Sequence, residues 1–285
     1  MESLALTDKK QEVIAYDDYS VANRPNLSQQ IFDRKGPTKI QGGALKTFVT
    51  SPNVNAVHVV LRSEMRPIDA DLELWHGPDQ TPYKMRVYIE NGSERHFSAM
   101  IGAPRGPNTV AIRNTGQLEF PIDACVVADT VELVGGSPIP EESEKRYEPK
   151  SIEGGALHTY NFDHNIEAVQ VLIKTDGRPL NARIELLTGP KDLKQTVEVF
   201  SEDGVDRPFF IVIETPGSGN TVKVVNTSEL ESPMYSWVEP YSISGDDFTN
   251  DSRMVNANDS RMVNYNDNNN NSRGNVPGRN MNQRR

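Results

Sequence analysis

With 285 residues, 36% of them hydrophobic and 7% aromatic, the chain has room for two domains but too few large apolar residues to fill a core along its whole length. A formal charge of −10 argues against non-specific binding to nucleic acid or anionic membranes, which needs a basic surface. The single cysteine, Cys125, excludes a disulfide-stapled scaffold and points to a reducing compartment, and no apolar run approaches the roughly 20 residues that span a bilayer, so the chain reads as soluble.

In chain order, residues 1–39 read as an arm. Ser3–Tyr16 (SLALTDKKQEVIAY) has the makings of a short helix, and Val21–Phe32 (VANRPNLSQQIF) reads as extended. The N-terminus MESLALTDKKQEV has neither the basic-then-apolar pattern of a secretory signal nor that of a transit peptide, so the expectation is a cytosolic or mature protein.

From Ile40 the chain matches itself. Ile40–Val126 and Ile152–Val238 align without a gap, with roughly a third of positions identical. The copies open with IQGGALKTF and IEGGALHTY. They continue through RPIDADLELWHGP and RPLNARIELLTGP and reach APRGPNTVAIRNT and TPGSGNTVKVVNT. Alternating apolar residues (Val57, Val59, Leu61; Leu72, Leu74; Val110, Ile112) mark half-buried strands, and Arg66-Pro67, Gly77-Pro78, Asn91-Gly92 and Pro104–Asn108 mark turns. About seven or eight strands per copy imply an all-β chain of two tandem β-sandwich domains, jelly-roll-like or immunoglobulin-like. The division is 40–134 for the first sandwich, with one further strand at VELV (Val131–Val134) near its end, 135–151 for a linker, and 152–245 for the second sandwich. Glu239–Asp247 (EPYSISGDD) echoes Glu148–Ala156 (EPKSIEGGA), so the extended stretch Tyr241–Gly245 is a candidate for pairing with a neighbour's sheet edge. Residues 246–285, with NDSRMVN twice and a run of asparagines from Asn268 to Asn271, read as a disordered tail.

The duplication tests candidate chemistry, because a site belonging to the shared fold should recur. His58, His76 and His96 lie opposite Gln170, Thr188 and Pro208, while His158 and His164 lie opposite Lys46 and Pro52, so no ligand cluster repeats and no metal or other cofactor is expected. Asp69 and Asp71 suggest calcium, but their counterparts are Asn181 and Arg183. The glycine-bearing turns lack the lysine and the strand-to-helix setting of a phosphate loop. Cys125, Trp75 and Trp237 read as core residues in preference to a nucleophile or a sugar platform, so no catalytic residue is assigned. The polar residues that do match are Arg66 with Arg178, Glu73 with Glu185, Glu90 with Glu202, Arg95 with Arg207 and Asn114 with Asn226. They read as cross-strand pairs and turn-holding hydrogen bonds, or as a surface that both copies use for the same contact. Arg66, Arg178, Glu73, Glu185, Arg95, Arg207, the turn glycines Gly77 and Gly189, and Tyr241 are the candidate assembly contacts.

The paired IxGGALxT, RPxxAxxEL, GP and NTVxxxNT units, the acidic balance and the Asn-rich tail together resemble the diatom pyrenoid shell proteins, the PyShell family. That resemblance spans both copies. It implies paired β-sandwiches that tile into a thin protein sheet around the Rubisco matrix of the pyrenoid, with the chain itself as chief partner and Rubisco or other pyrenoid proteins as further ones. It also implies residence in the chloroplast stroma at the pyrenoid periphery once a presequence has been removed; without that step the expectation is cytoplasmic. Repeated surfaces on one chain favour open, propagating contacts on physical grounds as well. The alternatives are a tandem glycan- or peptide-binding module, which would stay small in solution, and a non-catalytic accessory domain of a hydrolase.

Overall fold

The structure, a computed structural model, describes residues 26–128, 148–229 and 231–244, together with the backbone of Val13 and Ile14. The expected strand at Val131–Val134, most of the expected helix at Ser3–Tyr16 and the 246–285 tail lie outside the described residues. Where the Ser3–Tyr16 stretch is described, at Val13–Ile14, it is a strand, β1.

One helix, α1 (Leu27–Lys35), stands where an extended segment was expected. Its limits are set locally. The Asn26 side chain accepts from the Gln29 N–H at 3.0 Å, and Gly36, at φ 68, donates its N–H to the Phe32 carbonyl before Pro37 ends the turn. Leu27, Ile31 and Phe32 share one face and are buried, each worth about 1.5–3 kcal/mol in apolar area removed from water.

Each copy then contributes eight strands in the same order. The first copy runs β2 (Thr38–Ile40), β3 (Leu45–Val49), β4 (Ala56–Arg62), β5 (Ile68–His76), β6 (Gln80–Ile89), β7 (Phe97–Gly102), β8 (Thr109–Asn114) and β9 (Ile122–Ala128). The second runs β10 (Lys150–Ile152), β11 (Leu157–Phe162), β12 (Ile166–Lys174), β13 (Leu180–Thr188), β14 (Asp192–Ser201), β15 (Phe209–Glu214), β16 (Asn220–Asn226) and β17 (Met234–Ile243). Strands of both copies lie in the same two sheets. A nine-stranded sheet has the order β1-β11-β16-β13-β14-β6-β5-β8-β3, and an eight-stranded sheet the order β10-β17-β12-β15-β7-β4-β9-β2.

The two sheets are patterned differently. In β5, Ile68, Ala70, Leu72 and Leu74 are fully buried while Asp69, Asp71, Glu73 and Trp75 are half-exposed, the alternation of a sheet with one wet face. In the eight-stranded sheet β4, β7 and β15 are buried at almost every position, because their outer face is covered as well. There Leu27, Ile31 and Phe32 of α1 join Val60, Met100, Cys125 and Phe210 in a second apolar cluster that draws on both copies.

Candidate assembly surfaces

The two copies meet edge to edge through equivalent strands. β6 and β14 occupy the same place in their respective copies and pair antiparallel, with Val197 opposite Val87 and Val199 opposite Met85. β7 and β15 do the same in the other sheet, with Phe210 opposite Met100 and Val212 opposite Ser98. Both ladders are symmetric under exchange of the copies. At the centre of each, equivalent residues face one another: Arg86 and Glu198 in the first, Ala99 and Ile211 in the second. A pseudo-two-fold axis therefore passes through these two pairs. It relates the bond from Glu90 N–H to the Lys194 carbonyl with that from Glu202 N–H to the Pro82 carbonyl, both 2.9 Å. Side chains add ties that the symmetry does not repeat. Lys194 reaches Glu90 at 2.7 Å and Arg105 reaches Asp206 at 2.6 Å. Glu214 accepts from Asn26 of the helix cap at 2.6 Å and from the His96 N–H at 3.0 Å.

A row of charge crosses the wet face at the level of this axis. Arg113 stands opposite Asp71, Asp71 opposite Arg86, Arg86 opposite Glu198, and Glu198 opposite Arg183. The signs alternate along the whole row, as cross-strand pairing favours. A shallow depression over the axis is lined by Asp71, Glu73, Lys84, Arg86, Glu198 and Phe200. Asp69 and Asp71, considered above for calcium, both engage Arg86, at 2.7 and 2.8 Å.

The matched polar residues occupy equivalent places but make different contacts. Arg66 and Arg178 sit in the β4–β5 and β12–β13 turns, where their carbonyls accept from the Ser63 and Thr175 hydroxyls. The Arg66 guanidinium lies 4.9 Å over the Phe120 ring. That of Arg178 donates to Asp176 at 2.8 and 2.9 Å and to the Glu231 carbonyl at 2.6 Å, and the pairing holds the Asp176 carboxyl down to about 2. Glu73 accepts from the Trp75 indole at 2.7 Å, whereas Glu185 pairs with Arg183 at 2.8 Å and Lys223 at 2.9 Å. Gly77 and Gly189 form exposed hairpin turns at φ 70 and 68, a left-handed conformation that disfavours a side chain, with open space where a Cβ would point. Arg95 and Arg207 are each 5% exposed, which leaves little surface to offer a second molecule, and burial lowers the pKa of Arg207.

Tyr241, read as part of a free extended stretch, is 6% exposed and lies in the apolar cluster beneath α1. Its strand is already engaged: Ser242 stands opposite Ala168 and Ile243 opposite Ile166, so Tyr241–Ile243 completes β17 within the chain. Apolar side chains at Trp237, Tyr241 and Ile243 provide the reason, since extending the strand buries them. Trp75 also departs from its reading as a core residue: it is half-buried on the wet face beside Glu73. Trp237 and Cys125 are buried as expected, the Cys125 thiol 3.1 Å from the Gly36 carbonyl with its pKa pushed up by burial.

The histidines are scattered, and among the described residues no group of three or more His, Cys, Asp or Glu side chains could hold a metal ion. Asn114 and Asn226 hold turns, the first of the two roles that their match suggested. Asn114 donates to the Ile40 and Phe120 carbonyls at 3.0 and 2.8 Å, and Asn226 to those of Ile152 and Ser232 at 2.9 and 2.8 Å. Sequence reasoning did not single out Asn108 and Asn220, which do the same for the preceding turn through the Ala103 and Thr215 carbonyls at 2.8 and 2.9 Å. Their signal was present in the NTV motif shared by both copies.

A family model described as "Diatom pyrenoid shell protein" matches residues 32–240, from within α1 to near the end of β17. A search of curated proteins gave no match.

Proposed function

Because the chain belongs to the diatom pyrenoid shell protein family, we propose that it is a structural protein that associates with copies of itself into a sheet or shell around the Rubisco matrix of the pyrenoid, inside the chloroplast, and that it supports CO2 fixation without catalysing a reaction. The observation that carries this reading is the pseudo-two-fold arrangement of the two copies. It relates equivalent turns, Gly77 with Gly189 and Arg66 with Arg178, by that axis, and surfaces repeated in that way can propagate contacts in two dimensions. Of the candidate contacts, Arg66, Arg178, Glu73, Glu185, Gly77 and Gly189 retain exposed or half-exposed surface and are the proposed points of association. The wet, charge-alternating face is a second candidate for contact with Rubisco or other pyrenoid proteins, since complementary charge aids docking.

Imaging of the fluorescently tagged chain in a diatom tests the cellular part. A continuous rim around the Rubisco signal is the expected result. Diffuse stromal or cytoplasmic fluorescence would overturn the placement.

A further inference from the structure

The two outer ends of the nine-stranded sheet are built from equivalent strands and finished differently. At one end β11 is joined by β1, in parallel, with Val13 opposite Asn161 and Ile14 opposite Phe162. At the other end β3, the counterpart of β11, is the last strand, and among the described residues nothing pairs with its outer edge. That edge carries apolar side chains in water: Leu45 is 40% and Val49 76% exposed. An open edge with exposed apolar residues is a template for another strand.

Backbone geometry fixes which groups are on offer. The Ala44 carbonyl accepts from the Asn114 N–H at 3.0 Å and the Thr50 N–H donates to the Asn108 carbonyl at 2.8 Å, so the even-numbered residues turn towards β8. Strand alternation then turns the N–H and C=O of Leu45, Thr47 and Val49 outward.

We propose that this edge pairs antiparallel with β3 of a second copy, about a two-fold axis at Thr47. The inference rests on the self-association proposed above and names one of its contacts. In this register Thr47 meets Thr47, Leu45 meets Val49, and Lys46 stands opposite Phe48, so every outward donor meets an acceptor and no like charges face each other. Neighbouring registers are worse. Centring on Lys46 sets two ammonium groups opposite one another. Centring on Phe48 carries Leu45 past the strand end to Ser51, beside Pro52. The chain already joins its own copies in this manner, through equivalent strands running antiparallel about Arg86 and Glu198. The β11 end lacks the same option, because Asn161 replaces Val49 there and β1 occupies the edge. The contact closes two chains into a pair with one continuous sheet, and further surfaces would build a lattice from such pairs.

Two kinds of variant test this in the full chain. Thr47→Pro removes only an N–H that points outward, so the β3–β8 ladder keeps its bonds. The expected result is an unchanged thermal transition with loss of the two-fold contact in sedimentation. In a Cys125→Ser background, Thr47→Cys should form a disulfide-linked pair on mild oxidation, because hydrogen-bonded antiparallel partners stand about 5.5 Å apart at Cα, within disulfide reach. Lys46→Cys should link far less. If the unsubstituted chain never associates, the proposed function itself fails. If it associates, yet Thr47→Pro associates equally and Thr47→Cys stays unlinked, the β3 contact alone is overturned. Loss of association on deleting residues 1–25, with Thr47→Cys still unlinked, would assign the edge to the Val13–Ile14 segment of a second copy and would likewise overturn it.

Discussion

Arg86 and Glu198 stand directly opposite each other at the centre of the β6–β14 ladder, and they are the same position in the two copies. A junction between identical copies would set like residues against each other on the axis. Divergence has instead placed opposite charges there, which favours joining the first copy to the second over joining either to itself.

Replacing Glu198 with Arg should therefore weaken the junction. Both side chains are near the surface, so the cost is about 0.5–1 kcal/mol. Arg86→Ala should cost more than Glu198→Ala, because Arg86 also holds Asp69 and Asp71. Urea unfolding of the three variants at low and high salt checks the order, and the differences should shrink with salt.

Acid should loosen the fold through His58. Its side chain is buried, with Nε2 2.8 Å from the Ser98 hydroxyl, and burial lowers its pKa to about 4. The unfolded chain binds the proton near 6.5, so this group's contribution is complete above that pH and is lost as pH falls towards 4, to a total of about 3 kcal/mol. His58→Gln installs the residue that the second copy carries at Gln170 and should flatten stability between pH 6.5 and 4. Parallel pH profiles of the two proteins would refute the assignment.

The turn-holding asparagines should be costly to remove in both copies. Asn114→Ala leaves the Ile40 and Phe120 carbonyls without their donor, and Asn226→Ala does the same to Ile152 and Ser232. Each loss should amount to about 2–3 kcal/mol by thermal or denaturant unfolding. A cost below about 0.5 kcal/mol at either site would mean that water replaces the amide.

Much of this was legible in the sequence. The gapless match from Ile40 and Ile152 disclosed the duplication, the alternation in IDADLELW disclosed β5 as a half-buried strand although Trp75, read as core, lies on its wet face, and the matched Asn114 and Asn226 disclosed the turns they hold. What stayed hidden depended on surfaces made by distant residues. α1 is two turns of mostly polar sequence, and Leu27, Ile31 and Phe32 declare a helix face only once the outer side of the eight-stranded sheet exists to receive them. The pairing of β6 with β14 was hidden too, since an edge strand and an inner strand of this sheet have the same alternation, and the opposite signs of Arg86 and Glu198 acquire meaning only across the ladder. Tyr241 misled because the echo of Glu148–Ala156 suggested a new beginning, whereas the apolar residues of the stretch complete β17.

The hairpin turns link fold to assembly. Inserting a short Gly/Ser stretch after Gly77 or Gly189 should leave each variant folded by circular dichroism, because an exposed turn gains little closure entropy from a few residues. Assembly should fall in sedimentation. Full-sized assemblies from both variants would remove these turns from the proposed contacts.

Sedimentation velocity of the purified chain, over rising concentration and varied salt with electron microscopy of the same samples, tests the central claim most directly. The account expects material far larger than one chain, seen as sheets, tubes or other extended assemblies. A single species with the mass of one chain at every concentration and salt would contradict it and would favour the tandem binding module.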